Sequence, residues 1–143
     1  MKIAIGSDHA GFELKNKIRD YLLEKNIEVI DFGCDSSAST DYPIYGKKVA
    51  KSVANNEAEK GIVICYTGIG ISIVANKEKN IRCALVRSKD EAFLTRSHND
   101  ANVVALGAKY TPFELAKEIV DVFLETPFSN LEKHQRRINE IEV

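Results

Sequence analysis

The sequence has few cysteines and no cysteine pair of the kind that holds zinc. Its 143 residues include only Cys34, Cys65 and Cys83, and no two of them are spaced as Cys-x-x-Cys. An odd number of scattered cysteines argues against a disulfide framework and against a structural zinc site. A reducing compartment, the cytoplasm, is therefore the expected location.

Neither sign of charge is in excess. The chain contains 20 Lys and Arg against 21 Asp and Glu, a formal net charge of -1, and the basic residues are dispersed among the acidic ones. A chain without a basic stripe is not expected to bind nucleic acid or an acidic membrane. Any anion would have to bind in a local pocket.

No apolar run is long enough to span a membrane. The most apolar stretch, residues 61–75, is interrupted by Tyr66, Thr67 and two glycines, whereas a spanning helix needs about 20 predominantly apolar residues. The apolar start at residues 2–6 turns polar at Ser7, which is too short for the apolar region of a signal peptide. We expect neither a transmembrane nor a targeting segment.

What the sequence does contain is a regular alternation of strand-like and helix-like segments within one domain, residues 1–143. Short apolar runs typical of buried strands occupy residues 2–6, 28–31, 61–65, 82–86 and 103–106. Helical patterns fill the intervals between them and continue after the last one. This order predicts right-handed crossovers and a three-layer α/β/α Rossmann-like domain, with a five-stranded parallel sheet and a C-terminal helix.

Three segments fit the capping-box pattern, in which Ser or Thr precedes Glu by three residues at the start of a helix. They are residues 88–91, 111–114 and 129–132. In the second of them, Pro112 is predicted at the first helical position. Pro43, in Asp-Tyr-Pro, likewise indicates a helix start.

The predicted topology also indicates where chemistry should lie. Ligands of open α/β sheets bind outside the carboxyl ends of the strands. Those ends carry the segments 7–9, 65–68, 87–88 and 107–109. We therefore expect the site among these segments.

Two glycine-rich segments resemble nucleotide-binding loops but lack a required residue. Residues 6–11 have the glycine spacing of a Walker loop, yet Phe12 and Glu13 stand where Lys and Ser or Thr are needed. Ile73 stands where a dinucleotide-binding loop needs its third glycine. Both nucleotide hypotheses are rejected. From the first segment alone, a helix N-cap by Asp8 with an exposed His9 is the simpler interpretation, and anion binding at the helix start is the alternative.

The turn after the third strand, Cys65 to Gly70, has two possible interpretations. Its backbone N–H groups could bind a phosphate or a developing enolate, and the same positive partial charge would favour a thiolate at Cys65. Alternatively, Cys65 is a small buried thiol that ends a strand. We interpret Cys34 and Cys83 as structural or incidental.

Two polar clusters occur later in the chain. His98 and Asn99 lie at a predicted helix end, where an imidazole could transfer protons near neutral pH or serve as a dipole partner of the helix. Lys133 and Arg137 lie on the last helix and could bind phosphate or form a solvated face. No spacing indicates a metal site, no G-x-S-x-G motif is present, and no cofactor is expected.

Taken together and in order, these motifs resemble the ribose-5-phosphate isomerase B family, which also includes subunits of galactose-6-phosphate isomerase. The similarity extends from Met1 to about Ile141. It is carried by Gly-Ser-Asp-His-Ala-Gly at residue 6, Asp-Tyr-Pro at 41, Cys-x-Thr-Gly-x-Gly-x-Ser at 65, Asn-Lys at 76, Ile-Arg at 81, His-Asn-Asp-x-Asn at 98 and His-Gln-x-Arg at 134.

The resemblance implies a metal-free aldose–ketose isomerase of the pentose phosphate pathway. It would interconvert ribose 5-phosphate and ribulose 5-phosphate through a cis-enediolate. Cys65 matches the family's base, which moves a proton between C1 and C2. Thr67 and the N–H groups around Gly68 and Gly70 would stabilise the enediolate oxygen.

The remaining matches concern the sugar, the phosphate and the oligomer. Asp8 and His98 match residues that bind sugar hydroxyls and open the furanose ring. The other matched positions are Tyr42 and Asn99 in the pocket wall, and His9, Lys109, Lys133 and Arg137 around the phosphate. Family members are homodimers or dimers of dimers whose sites draw residues from both subunits, and the same association is expected here.

The sequence departs from the family pattern at four positions. Tyr66 and Asn80 replace glycines that are usual in the family, and Lys109 and Lys133 replace arginines. Tyr66 would be strained at positive φ or would crowd the pocket, whereas Asn tolerates a left-handed turn. Lysine lacks the bidentate fork of arginine, so weaker or differently placed phosphate binding is expected. Two alternatives therefore stay open: an isomerase of allose or galactose 6-phosphate, and a non-catalytic sugar-phosphate-binding subunit.

Overall fold

The computed structural model describes residues 1–143 and confirms the predicted three-layer α/β fold. The strands are β1 (Lys2–Ser7), β2 (Glu28–Asp31), β3 (Lys60–Cys65), β4 (Cys83–Leu85) and β5 (Val103–Gly107). The helices are α1 (Phe12–Glu24), α2 (Tyr42–Ala54), α3 (Ile69–Ala75), α4 (Lys89–Asn99), α5 (Phe113–Glu125) and α6 (Glu132–Ile141), with a 3-10 turn (His9–Gly11) before α1. No helix has both the length and the apolar character needed to cross a membrane.

The five strands form one parallel sheet in the order β2-β1-β3-β5-β4. The chain moves from β1 outward to β2, returns across β1 to β3, and then moves to the opposite edge. The connections therefore diverge between β1 and β3. In an open α/β sheet this switch point opens a crevice at the carboxyl ends of the two strands, because the following helices lie on opposite faces.

Each face of the sheet packs against its own apolar cluster. Side chains of alternate strand residues point to opposite faces, so Ile62 and Ile64 enter a cluster of 17 buried residues that also contains Phe123 of α5. Val63 and Cys65 enter the opposite cluster of 12 buried residues. Full burial of a large aliphatic side chain contributes about 1.5–3 kcal/mol, so β3 is a principal source of stability.

The three predicted capping boxes have different outcomes. Ser88 caps α4 as predicted, since its Oγ accepts the Glu91 N–H at 3.1 Å, although Glu91 Oε1 accepts the N–H of Arg87 at 2.7 Å and not that of Ser88. The prediction at Thr111 was wrong. Pro112 is the cap residue and lies before the first helical position, while the buried Thr111 hydroxyl has no hydrogen-bond partner.

The prediction at Ser129 was also wrong. Helix α6 begins at Glu132, and Leu131 is its cap residue without a side-chain cap bond. The Ser129 hydroxyl instead accepts the Leu131 N–H at 3.2 Å and lies 2.7 Å from Nδ1 of His134. The hydroxyl is thus used to shape the loop before α6 and is not available to the helix.

An ion pair between a buried lysine and a partly exposed aspartate, which the sequence did not reveal, joins α1 to β2. Lys15 is 1% exposed, and its Nζ lies 2.9 and 2.8 Å from the two carboxylate oxygens of Asp31. Asp31 also accepts Arg19 Nη1 at 2.9 Å and the Gly33 N–H at 2.9 Å. The Gly33 carbonyl in turn accepts the N–H of Ser7 at 2.7 Å, so this network reaches the carboxyl end of β1.

Burial by itself raises the pKa of Asp31, but hydrogen bonds from Lys15, the Gly33 N–H and Arg19 outweigh it and lower the folded-state pKa. A lowered pKa contributes stability above the unfolded value near 3.9, and that contribution is lost as the pH falls through the folded value. We predict that Asp31→Asn lowers the free energy of unfolding at pH 7 by about 1–3 kcal/mol, because the buried Lys15 loses its counter-charge, while the exposure of Asp31 to solvent screens the pair.

Urea denaturation at pH 7 and at pH 3.5 measures this effect, and the difference from wild type should be smaller at the lower pH. Asp20→Asn is the matched control, because Asp20 pairs with Arg19 at 3.1 Å but its side chain is 61% exposed. Its effect should stay below about 1 kcal/mol. Equal stability of Asp31→Asn and wild type at pH 7 would contradict the role of the ion pair.

Candidate active site

A cavity of about 520 Å³ opens at the carboxyl ends of β1 and β3. It is lined by Asp8, His9, Ala10, Tyr42, Cys65, Tyr66, Thr67, Ile69 and Gly70. Six of these are site residues predicted from the sequence, and they come from three separate segments. A larger cavity of about 730 Å³ lies beside β4 and the C-terminus, and the predicted site residue Asn99 lines that one.

Asp8 and His9 enter the cavity from the end of β1. Asp8 Oδ1 accepts the N–H groups of Ala10 at 3.0 Å and Gly11 at 3.2 Å, so Asp8 caps the 3-10 turn. His9 is exposed, and its Nδ1 lies 3.2 Å from the backbone nitrogen of Thr40. The capping interpretation is confirmed, and it leaves the carboxylate directed at the cavity.

Cys65 lies at the end of β3 with its sulfur held by the following turn. The side chain is 4% exposed, and Sγ accepts the Gly68 N–H at 3.2 Å. Gly68 adopts φ 78°, a left-handed conformation that glycine enters without steric cost. Thr67 Oγ1 accepts the Ile69 N–H at 3.2 Å. Two backbone N–H groups of this turn, those of Gly68 and Ile69, therefore donate to side chains of the same turn.

Gly70 lies in the first turn of α3, where its N–H makes no backbone hydrogen bond. A Cβ at this position would lie 2.5 Å from Cζ of Tyr42. Glycine is thus required by the close approach of the Tyr42 ring, which forms one wall of the cavity. This geometry leaves the Gly70 N–H as a donor at the cavity.

Tyr66 lines the cavity, and Lys109 lies beside Tyr66. Tyr66 is not among the residues with positive φ, so its backbone is not strained, and its ring is 55% exposed. The Lys109 N–H donates to the Tyr66 carbonyl at 2.9 Å, and Lys109 Nζ lies 5.5 Å from the centroid of the Tyr66 ring. Asn80 has φ 71°, in agreement with the expected left-handed turn.

The other predicted residues form a second cluster around α4 and α6 and do not line the cavity at Cys65. The rings of His98 and His134 are 4.3 Å apart between centroids and tilted by 34°. Burial lowers the pKa of His134, and the positive charges of His98, Lys133 and Arg137 lower it further. Within one chain, the structure thus separates this cationic cluster from the thiol.

Sequence reasoning did not include His134, Ser129 or Tyr66 among the site residues. His134 was visible as the first residue of the His-Gln-x-Arg motif. Ser129 was misassigned as a helix cap, because a capping pattern in sequence does not show which side chain competes for the hydroxyl. No group of three His, Cys, Asp or Glu side chains is placed to hold a metal ion.

A parallel α/β domain with a thiol, a carboxylate and backbone donors at the switch point is an enzyme fold with a site for a small polar substrate. The chain belongs to the Ribose/Galactose Isomerase family, whose model matches residues 3–141, and it is an isomerase.

Named relatives cover nearly the whole chain. The chain is 48% identical to ribose-5-phosphate isomerase B of Escherichia coli strain K12, over 98% of this chain and 93% of that protein. It is 43% identical to galactose-6-phosphate isomerase subunit LacB of Clostridium acetobutylicum, over 99% of this chain and 82% of that one. The crystal structure of the Thermotoga maritima ribose 5-phosphate isomerase superposes with a TM-score of 0.96 at 53% identity, covering 99% and 97% of the two chains.

We predict that Gly68→Ala destabilises the protein and disturbs the turn around Cys65. At φ 78° a Cβ would lie 2.6 Å from Leu85 Cδ1 and 2.8 Å from the Leu106 backbone carbon. Such strain costs about 1–3 kcal/mol, measured as a lower free energy of unfolding in urea. Gly46→Ala is the control, because its nearest atoms are side-chain carbons at 3.0 and 3.1 Å in an ordinary helix. Equal effects of the two substitutions would refute the strain argument.

Proposed function

We propose that the protein interconverts ribose 5-phosphate and ribulose 5-phosphate through a cis-enediolate, with Cys65 as the base. The observation that carries the proposal is the sulfur of Cys65. It is buried at the end of β3, accepts the Gly68 N–H at 3.2 Å, and belongs to the same cavity as Asp8 and Thr67. The relative from Escherichia coli carries the corresponding name.

The reaction requires one group that takes a proton from C2 of the open-chain aldose and returns it to C1. A thiolate at Cys65 is suited to this exchange, because the Gly68 N–H stabilises negative charge on sulfur. As the proton leaves C2, the electron pair of that bond moves into the C1–C2 bond and the carbonyl oxygen gains negative charge. Protonation at C1 then gives the ketose, with the hydroxyl proton of C2 transferred to the oxygen on C1.

The developing enediolate needs donors that are not already used. Thr67 Oγ1 accepts the Ile69 N–H, so its own hydroxyl hydrogen is left to donate to the substrate. The Gly68 N–H is occupied by sulfur, which leaves the Gly70 N–H as the backbone donor. Thr67 and Gly70 are therefore the proposed oxyanion donors.

The remaining residues of the cavity would bind the sugar. Asp8 uses Oδ1 for the 3-10 turn, and its other oxygen is proposed to accept a sugar hydroxyl. Tyr42 would form the wall beside the carbon chain, and His9 would contact the phosphate. Lys109 is proposed as a further phosphate contact, from the rim beside Tyr66.

We propose that a second copy of the chain completes the site in a homodimer or a dimer of dimers. The four predicted site residues on α4 and α6 do not line the cavity at Cys65 of their own chain: His98, Asn99, Lys133 and Arg137. A partner could bring them there. On α3, next to the cavity, Ile69 and Ile73 are 46% and 56% exposed, and exposed apolar surface of this kind supports an interface.

We predict that Cys65→Ala lowers kcat on ribose 5-phosphate by about 100- to 10,000-fold, the contribution that general acid–base catalysis typically makes. Folding, followed by circular dichroism and urea denaturation, should be largely unchanged. Cys83→Ala is the matched control, because burial raises the pKa of Cys83 to about 12 and keeps this thiol neutral. Normal turnover by Cys65→Ala would eliminate Cys65 as the base.

A six-carbon substrate is the second candidate, favoured by the relationship to a galactose-6-phosphate isomerase subunit. The ratio of kcat/KM for ribose 5-phosphate to those for allose and galactose 6-phosphate decides between the two, because pocket length acts on transition-state binding. Binding without turnover of any of the three would instead indicate a non-catalytic subunit.

The composite site predicts that two inactive variants complement each other. When Cys65→Ala and His98→Asn are mixed and allowed to exchange subunits, a hybrid dimer contains one site with both substitutions and one intact site. At equal amounts, activity should recover to about a quarter of wild type, since half of randomly formed dimers are hybrids and half of their sites are intact. Turnover of ribose 5-phosphate measures the recovery, and native mass spectrometry counts the hybrids. Hybrids without activity would contradict a site shared in this way.

A further inference from the structure

A lysine without an ion-pair partner lies between two exposed tyrosine rings, and one of these tyrosines, Tyr66, lines the cavity. Lys109 Nζ is 5.5 Å from the centroid of the Tyr66 ring and 5.6 Å from that of Tyr110. The two tyrosines are 55% and 43% exposed. Lys109 takes part in none of the protein's ion pairs. Its charge is thus held near the cavity without being neutralised by a carboxylate.

The backbone brings Lys109 to this place. The turn after β5 is tied to the turn after β3 by two hydrogen bonds, from the Ala108 N–H to the Cys65 carbonyl and from the Lys109 N–H to the Tyr66 carbonyl, both 2.9 Å long. Tyr66 itself lines the cavity. The lysine side chain therefore starts directly beside the loop that carries the proposed base.

The two rings restrict where the ammonium group can be. A lysine on an exposed surface has a flexible four-carbon stem and no planar fork, so its charge is not directed by its own geometry. An aromatic face attracts a cation within about 6 Å of the ring centroid. Tyr110 also has the guanidinium carbon of Arg87 4.5 Å from its centroid. The side chain of Arg87, like that of Lys109, has no ion-pair partner, so the positive potential at this rim is not cancelled locally.

We infer that Tyr66 and Tyr110 are positioning residues that hold the Lys109 ammonium at the rim of the cavity, where it anchors the phosphate of the sugar-phosphate substrate. The inference rests on the proposed function, since it concerns how Lys109, already proposed there as a phosphate contact, is held in place. Tyr66 thereby has a role that its ring carries out through Lys109.

Direct binding of ribitol 5-phosphate, which has no carbonyl and cannot be isomerised, tests the inference by isothermal titration calorimetry, with ribitol as the uncharged comparison. Lys109→Met should weaken binding of the phosphate ester by about tenfold, as expected for loss of a charged hydrogen bond. Tyr66→Leu should weaken it by about two- to fivefold, the size of an exposed cation–π contact, and Tyr66→Phe should recover most of the loss.

A double-mutant cycle shows whether Tyr66 acts through Lys109. In the Lys109→Met background, Tyr66→Leu should have no further effect on ribitol 5-phosphate binding. Lys117→Met is the matched control, because Lys117 Nζ also lies near two aromatic rings, 4.9 Å from Phe113 and 5.7 Å from Tyr21, but on α5 outside the cavity. It should bind as wild type does.

The substitution should affect KM and kcat differently, which a general loss of structure would not do. With ribose 5-phosphate, Tyr66→Leu should raise KM while kcat changes by less than about twofold, because the phosphate is remote from C1 and C2. Three results would overturn the inference: equal weakening by Tyr66→Leu with and without Lys109, failure of Tyr66→Phe to recover binding, or unchanged binding by Lys109→Met.

The experiments distinguish failure of this inference from failure of the proposed function. Lys109-dependent binding of ribitol 5-phosphate by a protein that does not turn over ribose 5-phosphate would support the positioning role and refute the proposed reaction. Conversely, normal turnover together with Lys109-independent binding would support the reaction and refute the positioning role.

Discussion

The turn from β3 into α3 is the constraint on which the rest of the site depends. It reverses the chain within three residues, and this requires the left-handed backbone of Gly68 at φ 78°. The same turn lies so close to the end of β5 that a Cβ on Gly107 would collide with the Thr67 backbone. Two glycines therefore set the position of the Cys65 sulfur, the Thr67 hydroxyl and the first N–H groups of α3 together, because none of them can move without the others.

Positive charge is concentrated at two places in this protein, although the chain as a whole is almost neutral, with a formal net charge of -1. Lys109, beside Tyr66, has no carboxylate partner. On α4 and α6, burial and then the positive charges of the cluster hold the pKa of His134 below its ordinary value. Like charges at close range are unfavourable in the free protein. In the proposed reaction a dianionic phosphate would relieve that repulsion, so both places would favour the same kind of ligand.

The sequence predicted the sheet and the edge that carries the cavity, because both follow from short-range patterns. Continuous apolar runs such as residues 61–65 indicate burial on both faces, and glycines at a strand end indicate a turn that exposes N–H groups. The contacts that sequence reasoning missed or misassigned all involve polar side chains. The Thr111 hydroxyl is buried without a partner, Ser129 contacts His134, and Lys15 pairs with Asp31. Hydrophobic periodicity predicts which residues are buried. It does not predict which polar groups contact each other, or whether His98 belongs to the cavity of its own chain or to that of a second copy.

The ion pair between buried Lys15 and partly exposed Asp31 illustrates a role for such contacts beyond net stability. An apolar replacement of similar volume is often as stable as a buried ion pair, but it could not accept the Gly33 N–H that Asp31 accepts at 2.9 Å. That bond fixes the loop whose Gly33 carbonyl and Cys34 N–H bind the backbone of Ser7, while the next residue, Asp8, donates its N–H to the Ile64 carbonyl of β3 at 3.3 Å. The position of the Asp8 carboxylate is therefore fixed from two sides. On one side the Lys15–Asp31 ion pair fixes the loop after β2, and on the other the backbone of Asp8 is bonded to β3. The ion pair thus contributes more directly to the placement of Asp8 than to the packing of the core.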